Sequence, residues 1–322
     1  MCEPHLPEPP TLEAAPQRHT AWARGVPVVF TVVIFWLIFR RIPFGAFWHA
    51  LARAQLLPFL SLIGSFALGF FLLDTFVLSR LIRWFHGPLP YRELLPVRAV
   101  TYLVSILNTQ LAQGALALYM HRRFGTPLAH ITSTVALLVL LEMTNLILFA
   151  TLGAVAFPGG TPLLLLALPL GLGMVWLLLI SLARGQLGVF SQRLSGSAFL
   201  STFRRVRLRQ CAIILALKGS VFCLALLVHS QALGFFGMAI PLTRLMAFLP
   251  IIFLVAALPI TVAHLGTSQA AWIFFFSAYA PTADLLAYSL ASHLTFMLAN
   301  GTFGVLFLPR AYSDLFLRDR TG

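Results

Sequence analysis

The chain has 322 residues, of which 59% are hydrophobic and only 10% charged. This composition excludes an ordinary soluble domain and predicts an all-α, polytopic integral membrane protein. The net charge of +13 comes almost wholly from arginines between apolar segments. We therefore interpret it as a signal of membrane topology and of contact with anionic lipid, and expect no nucleic acid as a partner.

In chain order, residues 1–20 are predicted to form a disordered tail rich in Pro and Glu, residues 21–310 a single transmembrane domain, and residues 311–322 a short cytoplasmic C-terminal tail. A span needs about 20 apolar residues. Six full spans are predicted: residues 26–39 (short), 56–78, 131–157, 162–182, 211–228 and 285–308. The first lacks the pattern of a cleaved secretory signal, so we expect it to remain in place.

Two further apolar stretches are interrupted in the middle. Residues 94–120 are interrupted by polar residues at 108–114, and residues 242–279 are interrupted at 259–269. Unwound backbone survives in hydrocarbon only where it lines a cavity or is buried in protein, because its polar groups find no water there. We therefore predict two re-entrant, broken helical hairpins that share a substrate cavity near the bilayer midplane.

The two interrupted stretches have the same layout. When Gly114 is superposed on Gly266, each break is followed by an apolar half-helix, a turn and a full span, although few residues are identical. The layout predicts an inverted repeat. Six spans and two hairpins related in this way are the predicted architecture.

The arginines predict which connections share a side of the membrane. Arginine-rich connections occur at residues 80–98, 122–123 and 184–209, and they fall on one side only if residues 94–120 dip in and return. Residues 242–279 then dip in from the opposite side. We expect the arginine-rich side and the N-terminus to be cytoplasmic. The arginines between the first two spans, Arg40, Arg41 and Arg53, then fall outside, against the usual bias.

Three charged residues lie inside predicted spans. An ionised side chain at a helix centre costs about 2.5–3.5 kcal/mol, so such residues are usually paired or functional. Asp74, close to Arg80, is predicted to be a plain interfacial residue. Glu142 and Lys218 can meet at one depth, where they either lock two helices together or take part in binding and proton coupling.

Polar residues in the two breaks are the candidate substrate contacts. Each of them either contacts a substrate or satisfies the backbone groups that a break frees. The predicted substrate-binding residues are Asn108, Gln110, Gln113, Gly114, His264, Gly266, Ser268 and Gln269. His293, on the last span, either packs through a hydrogen bond or joins Glu142 and Lys218 in charge coupling. The sequence predicts no catalytic residues, metal site or cofactor.

The sequence resembles the flippase-like membrane domain of lysylphosphatidylglycerol synthases. The residues that carry the resemblance are the break at 108–114 with Arg122-Arg123-Phe124-Gly125, Leu141-Glu142, Leu258-Pro259 and the run from Leu265 to Ala270. The resemblance implies a stand-alone, bacterial inner-membrane protein that moves a polar lipid between leaflets. Ala115, Gln269 and Met143 stand where the family pattern tends to place Glu, Glu and Arg. These departures imply a less charged lipid, such as a neutral glycolipid or a hopanoid-like lipid, or another role.

The sequence thus predicts a non-enzymatic lipid translocase or exporter, with membrane lipids as substrates and lipid-biosynthesis enzymes as candidate partners. It contains no Walker motif, so movement is expected to be passive or ion-coupled. Two alternatives stay open. One is a non-catalytic subunit of a lipid- or glycan-biosynthesis complex. The other is an intramembrane lipid-modifying enzyme, which the absence of catalytic motifs disfavours. The oligomeric state is not predicted.

Overall fold

The computed structural model describes residues 18–107, 109–156, 167–186, 196–257 and 261–316. In this part of the chain the secondary structure is helical throughout. Two short 3-10 turns occur at Ala198–Leu200 and Val262–His264. The α-helices are α1 (Arg18–Arg41), α2 (Phe44–Arg53), α3 (Leu56–Phe85), α4 (Tyr91–Leu107), α5 (Thr109–Phe124), α6 (Leu128–Ala156), α7 (Ala167–Arg184), α8 (Ser201–Arg205), α9 (Leu208–Gly234), α10 (Leu242–Ala256), α11 (Thr267–Phe276) and α12 (Thr282–Phe316).

Five of these helices are long and apolar enough to cross a membrane: α3, α6, α7, α9 and α12. A sixth span is available only if α1 and α2 are counted together, and these two helices meet at an angle of 87°. Pro43 lies at this bend, where it cannot continue a helix from α1. The predicted polytopic, all-α architecture is confirmed. The helical start of α1 at Arg18 and the continuation of α12 to Phe316 differ from the predicted tail boundaries.

The first predicted hairpin is formed by α4 and α5. Arg123, at the end of α5, donates a hydrogen bond of 3.1 Å to Glu93, near the start of α4. The two helices therefore run antiparallel and return to the end from which they came. The predicted unwinding is too long, because α5 is helical from Thr109 onward. Residues 109–114 include Ala, Leu and Gln, which are good helix formers, and so these polar positions did not need to leave the helix.

The second predicted hairpin is formed by α10 and α11. The rings of Phe248 and Phe275 stack with centroids 4.9 Å apart, which places the middle of α10 beside the end of α11. Between them the backbone leaves the helix, and Ala263 and Gly266 have φ angles of 50° and 93°. A side chain at Gly266 would be strained at this angle and would also contact Ile34. The helix resumes at Thr267, so the predicted break, which ran on to residue 269, is wrong for its last three residues.

Each of the two hairpins belongs to a repeat unit of four helices. Shifting the chain by 152 residues, the offset between Gly114 and Gly266, carries the start of α3 at Leu56 onto the start of α9 at Leu208. The same shift carries the end of α5 onto the end of α11 and brings the starts of α4 and α6 to within two residues of the starts of α10 and α12. The repeat units are therefore α3–α6 and α9–α12.

The repeat is inverted, because α3 and α9 run antiparallel. Phe59, at the start of α3, contacts Phe236, just beyond the end of α9, with ring centroids 5.1 Å apart. The packing between the units is also exchanged. Helix α10 packs along α6 of the other unit, and α4 packs along α12. The contact of α6 with α10 depends on Gly153, whose position lies against the backbone of Ala247.

The arginine-rich connections lie at one end of the bundle, as predicted. Near the start of α6, Thr134 bonds Thr202 of α8 over 2.9 Å, and His86, just after α3, bonds Thr134 over 2.8 Å. We call this the arginine-rich end. At the opposite end, Arg53 forms an ion pair with Asp284 at the start of α12. This pairing offsets one of the arginines that the topology places against the usual bias.

We expect Gly153→Ala to destabilise the protein by about 1–3 kcal/mol, because an added Cβ would lie 2.5 Å from the Cα of Ala247 and backbone cannot yield. Gly64→Ala, on α3, is the matched control, since its added methyl group would have nothing within 4 Å. Thermal unfolding of both variants in detergent measures the difference. Equal melting temperatures would contradict the close approach of α6 and α10.

Candidate functional site

A cluster of charged side chains joins four helices inside the bundle. It consists of Asp74 on α3, Arg98 and Tyr102 on α4, Glu142 on α6 and Lys218 on α9. Two acids and two bases give the cluster no net charge when all four are ionised. The cluster therefore connects the first repeat unit, which contains α3, α4 and α6, with α9 of the second.

Asp74 is the centre of this charge cluster. Its Oδ1 accepts a hydrogen bond of 2.6 Å from Lys218. Its Oδ2 accepts bonds of 2.9 and 2.5 Å from the Arg98 guanidinium and one of 2.6 Å from the hydroxyl of Tyr102. The side chain is only 3% exposed. The prediction that Asp74 is an interfacial residue is wrong, because α3 continues beyond it to Phe85 and its partners come from other helices.

Glu142 occupies the accessible edge of the charge cluster. Its Oε1 accepts a hydrogen bond of 3.1 Å from Lys218, so the pair considered from the sequence is present. Its side chain is 42% exposed, whereas that of Lys218 is 7% exposed. From the described residues, Glu142 accepts no other hydrogen bond. A carboxylate near the middle of α6 thus has capacity for a proton or a polar group.

Sequence reasoning missed Arg98 and Tyr102, because Arg98 was counted among the arginines of a connection. The predicted hairpin begins at residue 94, so the sequence already placed Arg98 inside an apolar segment and not in a connection. Residues 98 and 102 are four apart and so share one face of a helix. The guanidinium carbon of Arg98 lies 4.7 Å from the ring centroid of Tyr102, which adds a cation–π contact to the shared hydrogen-bond acceptor.

The polar residues predicted at the first break are only partly located. Asn108 lies outside the described residues, as does the side chain of Gln110. Gln113 lies on α5, and its Oε1 is buried with no hydrogen-bond partner among the described residues. Gly114 is an exposed helical position with open space beside it. No polar partner in the described part of the chain accounts for the orientation of Gln113.

The second break is described at residues 261–266, and here the predicted residues lie close together. His264 has a φ angle of 59°, and its carbonyl accepts a hydrogen bond from the Thr267 hydroxyl. Gln269 accepts a bond of 2.6 Å from the Gly266 N–H and thereby caps α11. Its Nε2 atom is fully buried with no partner among the described residues. Ser268 is buried in the first turn of α11.

His293 supports this loop from α12. Its Nε2 lies 2.8 Å from the carbonyl oxygen of Ala263, one of the residues with positive φ. The hydrogen bond satisfies a carbonyl that the break frees. His293 therefore lies with the second hairpin and not with Glu142 and Lys218.

The tip of the second hairpin reaches the other repeat unit. The 3-10 turn at Val262–His264 packs against α4 and α1. The two tips also include Asn108 and residues 258–260, which lie outside the described residues. A cavity shared by the two tips thus stays a prediction. Within the described ranges, no three His, Cys, Asp or Glu side chains are grouped as metal ligands would be.

A comparison with protein families identifies the chain. The model of the lysylphosphatidylglycerol synthase TM region matches residues 25–304. The chain belongs to this family. The match includes both repeat units except the end of α12, together with the charge cluster. A comparison with functionally curated proteins finds no match.

In this lysylphosphatidylglycerol synthase TM protein, the three residues that depart from the family pattern differ in their burial and contacts. Ala115 is exposed on α5, next to Gly114, and Met143 is partly buried beside Glu142. Gln269 is fully buried and caps α11. A glutamate at 269 would place a charge in this buried turn, so the amide avoids the cost of burying an unpaired ion.

We expect Asp74→Asn to lower the free energy of unfolding by about 3–5 kcal/mol, because it leaves buried Arg98 and Lys218 with too little opposite charge. Glu142→Gln is the matched change of an acid to its amide in the same cluster. We expect it to cost less, because Glu142 is half-exposed and accepts one bond. Thermal unfolding in detergent compares the two. A larger loss from Glu142→Gln would contradict the central position of Asp74.

Proposed function

We propose that this protein moves a polar lipid or lipid-linked product between the leaflets of a bacterial inner membrane, with the arginine-rich end in the cytoplasm. Membership of a lipid-related membrane family supports a role with lipids. The excess of arginine at one end supports the orientation. Membrane lipids are the proposed substrates, and lipid-biosynthesis enzymes are the proposed partners.

The observation that carries the proposal is the pair of inverted hairpins. One hairpin opens at each end of the bundle, and the first helix of each packs along the last span of the other repeat unit. Transporters built from inverted repeats alternate access by moving one unit against the other around a central site. In this chain, a tilt of α3–α6 against α9–α12 would widen the space around one hairpin tip and narrow the space around the other.

Glu142 is the proposed coupling residue. Protonation of its carboxylate would remove the charge that Lys218 contacts, while Lys218 would keep its hydrogen bond to Asp74. The link between α6 and α9 would therefore weaken without leaving an unpaired ammonium group. The chain contains no nucleotide-binding Walker motif, so we propose passive or proton-coupled movement. We also propose that the protein is not an enzyme, because its sequence contains no catalytic motif.

Reconstitution into liposomes tests this function. We expect the wild-type protein to move at least one candidate polar lipid, with neutral glycolipids tested first because the three family charges are absent. Glu142→Gln should slow this movement about tenfold, equivalent to about 1.4 kcal/mol. His264→Ala should also slow it, because this residue lies in the second break. The measurement is the accessibility of labelled lipid in each leaflet over time.

Cys223→Ser is the control for this assay, since Cys223 is exposed on α9 and belongs to neither the hairpins nor the charge cluster. It should transport at the wild-type rate. The proposal fails if the wild-type protein moves none of the lipids faster than empty liposomes do. An unchanged rate in Glu142→Gln would leave transport standing and remove the coupling role of Glu142.

A further inference from the structure

A cavity of about 350 Å³ lies at the arginine-rich end, away from the charge cluster. It lies between the end of α3, the turn that joins α5 to α6, and α8. Its polar lining includes His86, His130, Ser201, Thr202 and Arg205. We call it the His86 cavity. Its volume is near the lower limit of the range of about 300–1,000 Å³ for small-molecule sites, so it suits a compact polar group.

The walls of the His86 cavity are fixed by a chain of hydrogen bonds. His86 Nε2 lies 2.8 Å from the Thr134 hydroxyl, which in turn lies 2.9 Å from the hydroxyl of Thr202. The backbone N–H of Thr202 donates a bond of 3.1 Å to Ser133. These contacts connect the end of α3 to α6 and α8. The cavity is therefore bounded by packed elements and does not depend on one surface loop.

The lining of the His86 cavity contains one arginine and two histidines but no acid. Arg205, His86 and His130 all contribute to it, and neither Asp nor Glu does. In the described part of the chain, Arg205 has neither an ion pair nor a hydrogen bond, whereas Arg53, Arg98 and Arg123 each bond a carboxylate. Arg205 therefore lacks the counter-charge that these arginines have.

The pKa of His86 reflects the same lack of negative charge in the cavity. Burial lowers the pKa of His86, and the positive charges of Arg205 and His130 lower it further. His86 lies just beyond the end of α3, outside the spanning helix. A bound anion would reverse the effect of the two positive neighbours. The local electrostatics thus favour an anion in the cavity.

We propose that the His86 cavity binds a phosphate group. An arginine guanidinium matches the geometry of phosphate oxygens and can donate two parallel hydrogen bonds to them. Ser201 also lines the cavity, and its hydroxyl, which makes no hydrogen bond with the described residues, supplies a further donor. The cavity lies where α3 ends and α6 begins, and both helices are long enough to cross a membrane. We therefore expect the cavity near the membrane surface, where phospholipid headgroups lie. The phosphate can belong to a lipid headgroup or be free in solution.

Binding to the full-length protein in neutral detergent tests this proposal without measuring transport, so its failure is distinguishable from failure of the proposed function. The probes are inorganic phosphate at constant ionic strength, dihexanoyl phosphatidylglycerol, and dihexanoylglycerol as the phosphate-free control. We expect at least one phosphate probe to bind and dihexanoylglycerol not to bind. Binding of both, or of the lipid alone, identifies a headgroup site, and binding of inorganic phosphate alone identifies a free-phosphate site.

Two variants and one control locate the binding. Arg205→Gln and His86→Gln should each raise the Kd of the bound probe about tenfold. Arg205→Gln removes a charged donor, and His86→Gln removes an imidazole whose protonated form a bound anion would favour. Arg204→Gln is the control, because Arg204 lies on the same helix and bonds the Ser197 carbonyl outside the cavity. It should change the Kd less than about twofold. The proposal is overturned if neither phosphate probe binds, or if Arg204→Gln weakens binding as much as Arg205→Gln does.

Discussion

The buried carboxylate of Asp74 is the constraint on which the arrangement of the two halves depends. Without partners, a charge at this depth would be too costly to keep. Arg98, Tyr102 and Lys218 all donate to it, and they come from the first hairpin and from the second repeat unit. The position of α4 relative to α3 and α9 is therefore fixed by electrostatics as well as by packing. Glu142 lies at the accessible edge of the cluster and balances its charge. A change in the charge of Glu142 would therefore alter the electrostatic interactions of a network that spans both units.

The exchanged packing of the hairpins gives the molecule its symmetry. Helix α4 packs along α12 and α10 packs along α6, so each unit supplies the support for the other unit's re-entrant helix. Glycines permit the close approach, with Gly153 against Ala247 in one contact and Gly304 against Leu103 in the other. Small residues at helix contacts are a common means of packing in membranes, where lipid tails offer no hydrophobic drive to association. The second hairpin has its strained backbone at Ala263, and His293 supports it from α12 of the same unit.

Much of this fold could be predicted from the sequence, because the bilayer imposes simple length and charge rules. Apolar length predicted the long spans, and the arginine distribution predicted that residues 94–120 return to their own side. The extent of each break could not be predicted, since Gln110 and Gln113 are polar yet compatible with a helix, and only the packed structure shows that α5 begins at Thr109. The pairing of Asp74 with Arg98 was missed for a related reason. It joins residues 24 apart in sequence on different helices, and such contacts are specified by tertiary packing and not by local pattern. The roles of the predicted substrate-binding residues remain predictions.

The most direct test of the account is to determine on which face of the membrane each hairpin helix has its outer end. Single cysteines would be placed at the exposed positions Arg92 and Arg123 for α4–α5, and at Thr243 and Ala278 for α10–α11, in a variant without Cys2, Cys211 and Cys223. Labelling with a membrane-impermeant maleimide, before and after permeabilisation, reads the face on which each one lies. The account predicts that 92 and 123 share one face, and that 243 and 278 share the other. Labelling of 92 and 123 from opposite faces would show that the first pair crosses the membrane and would contradict the inverted hairpins.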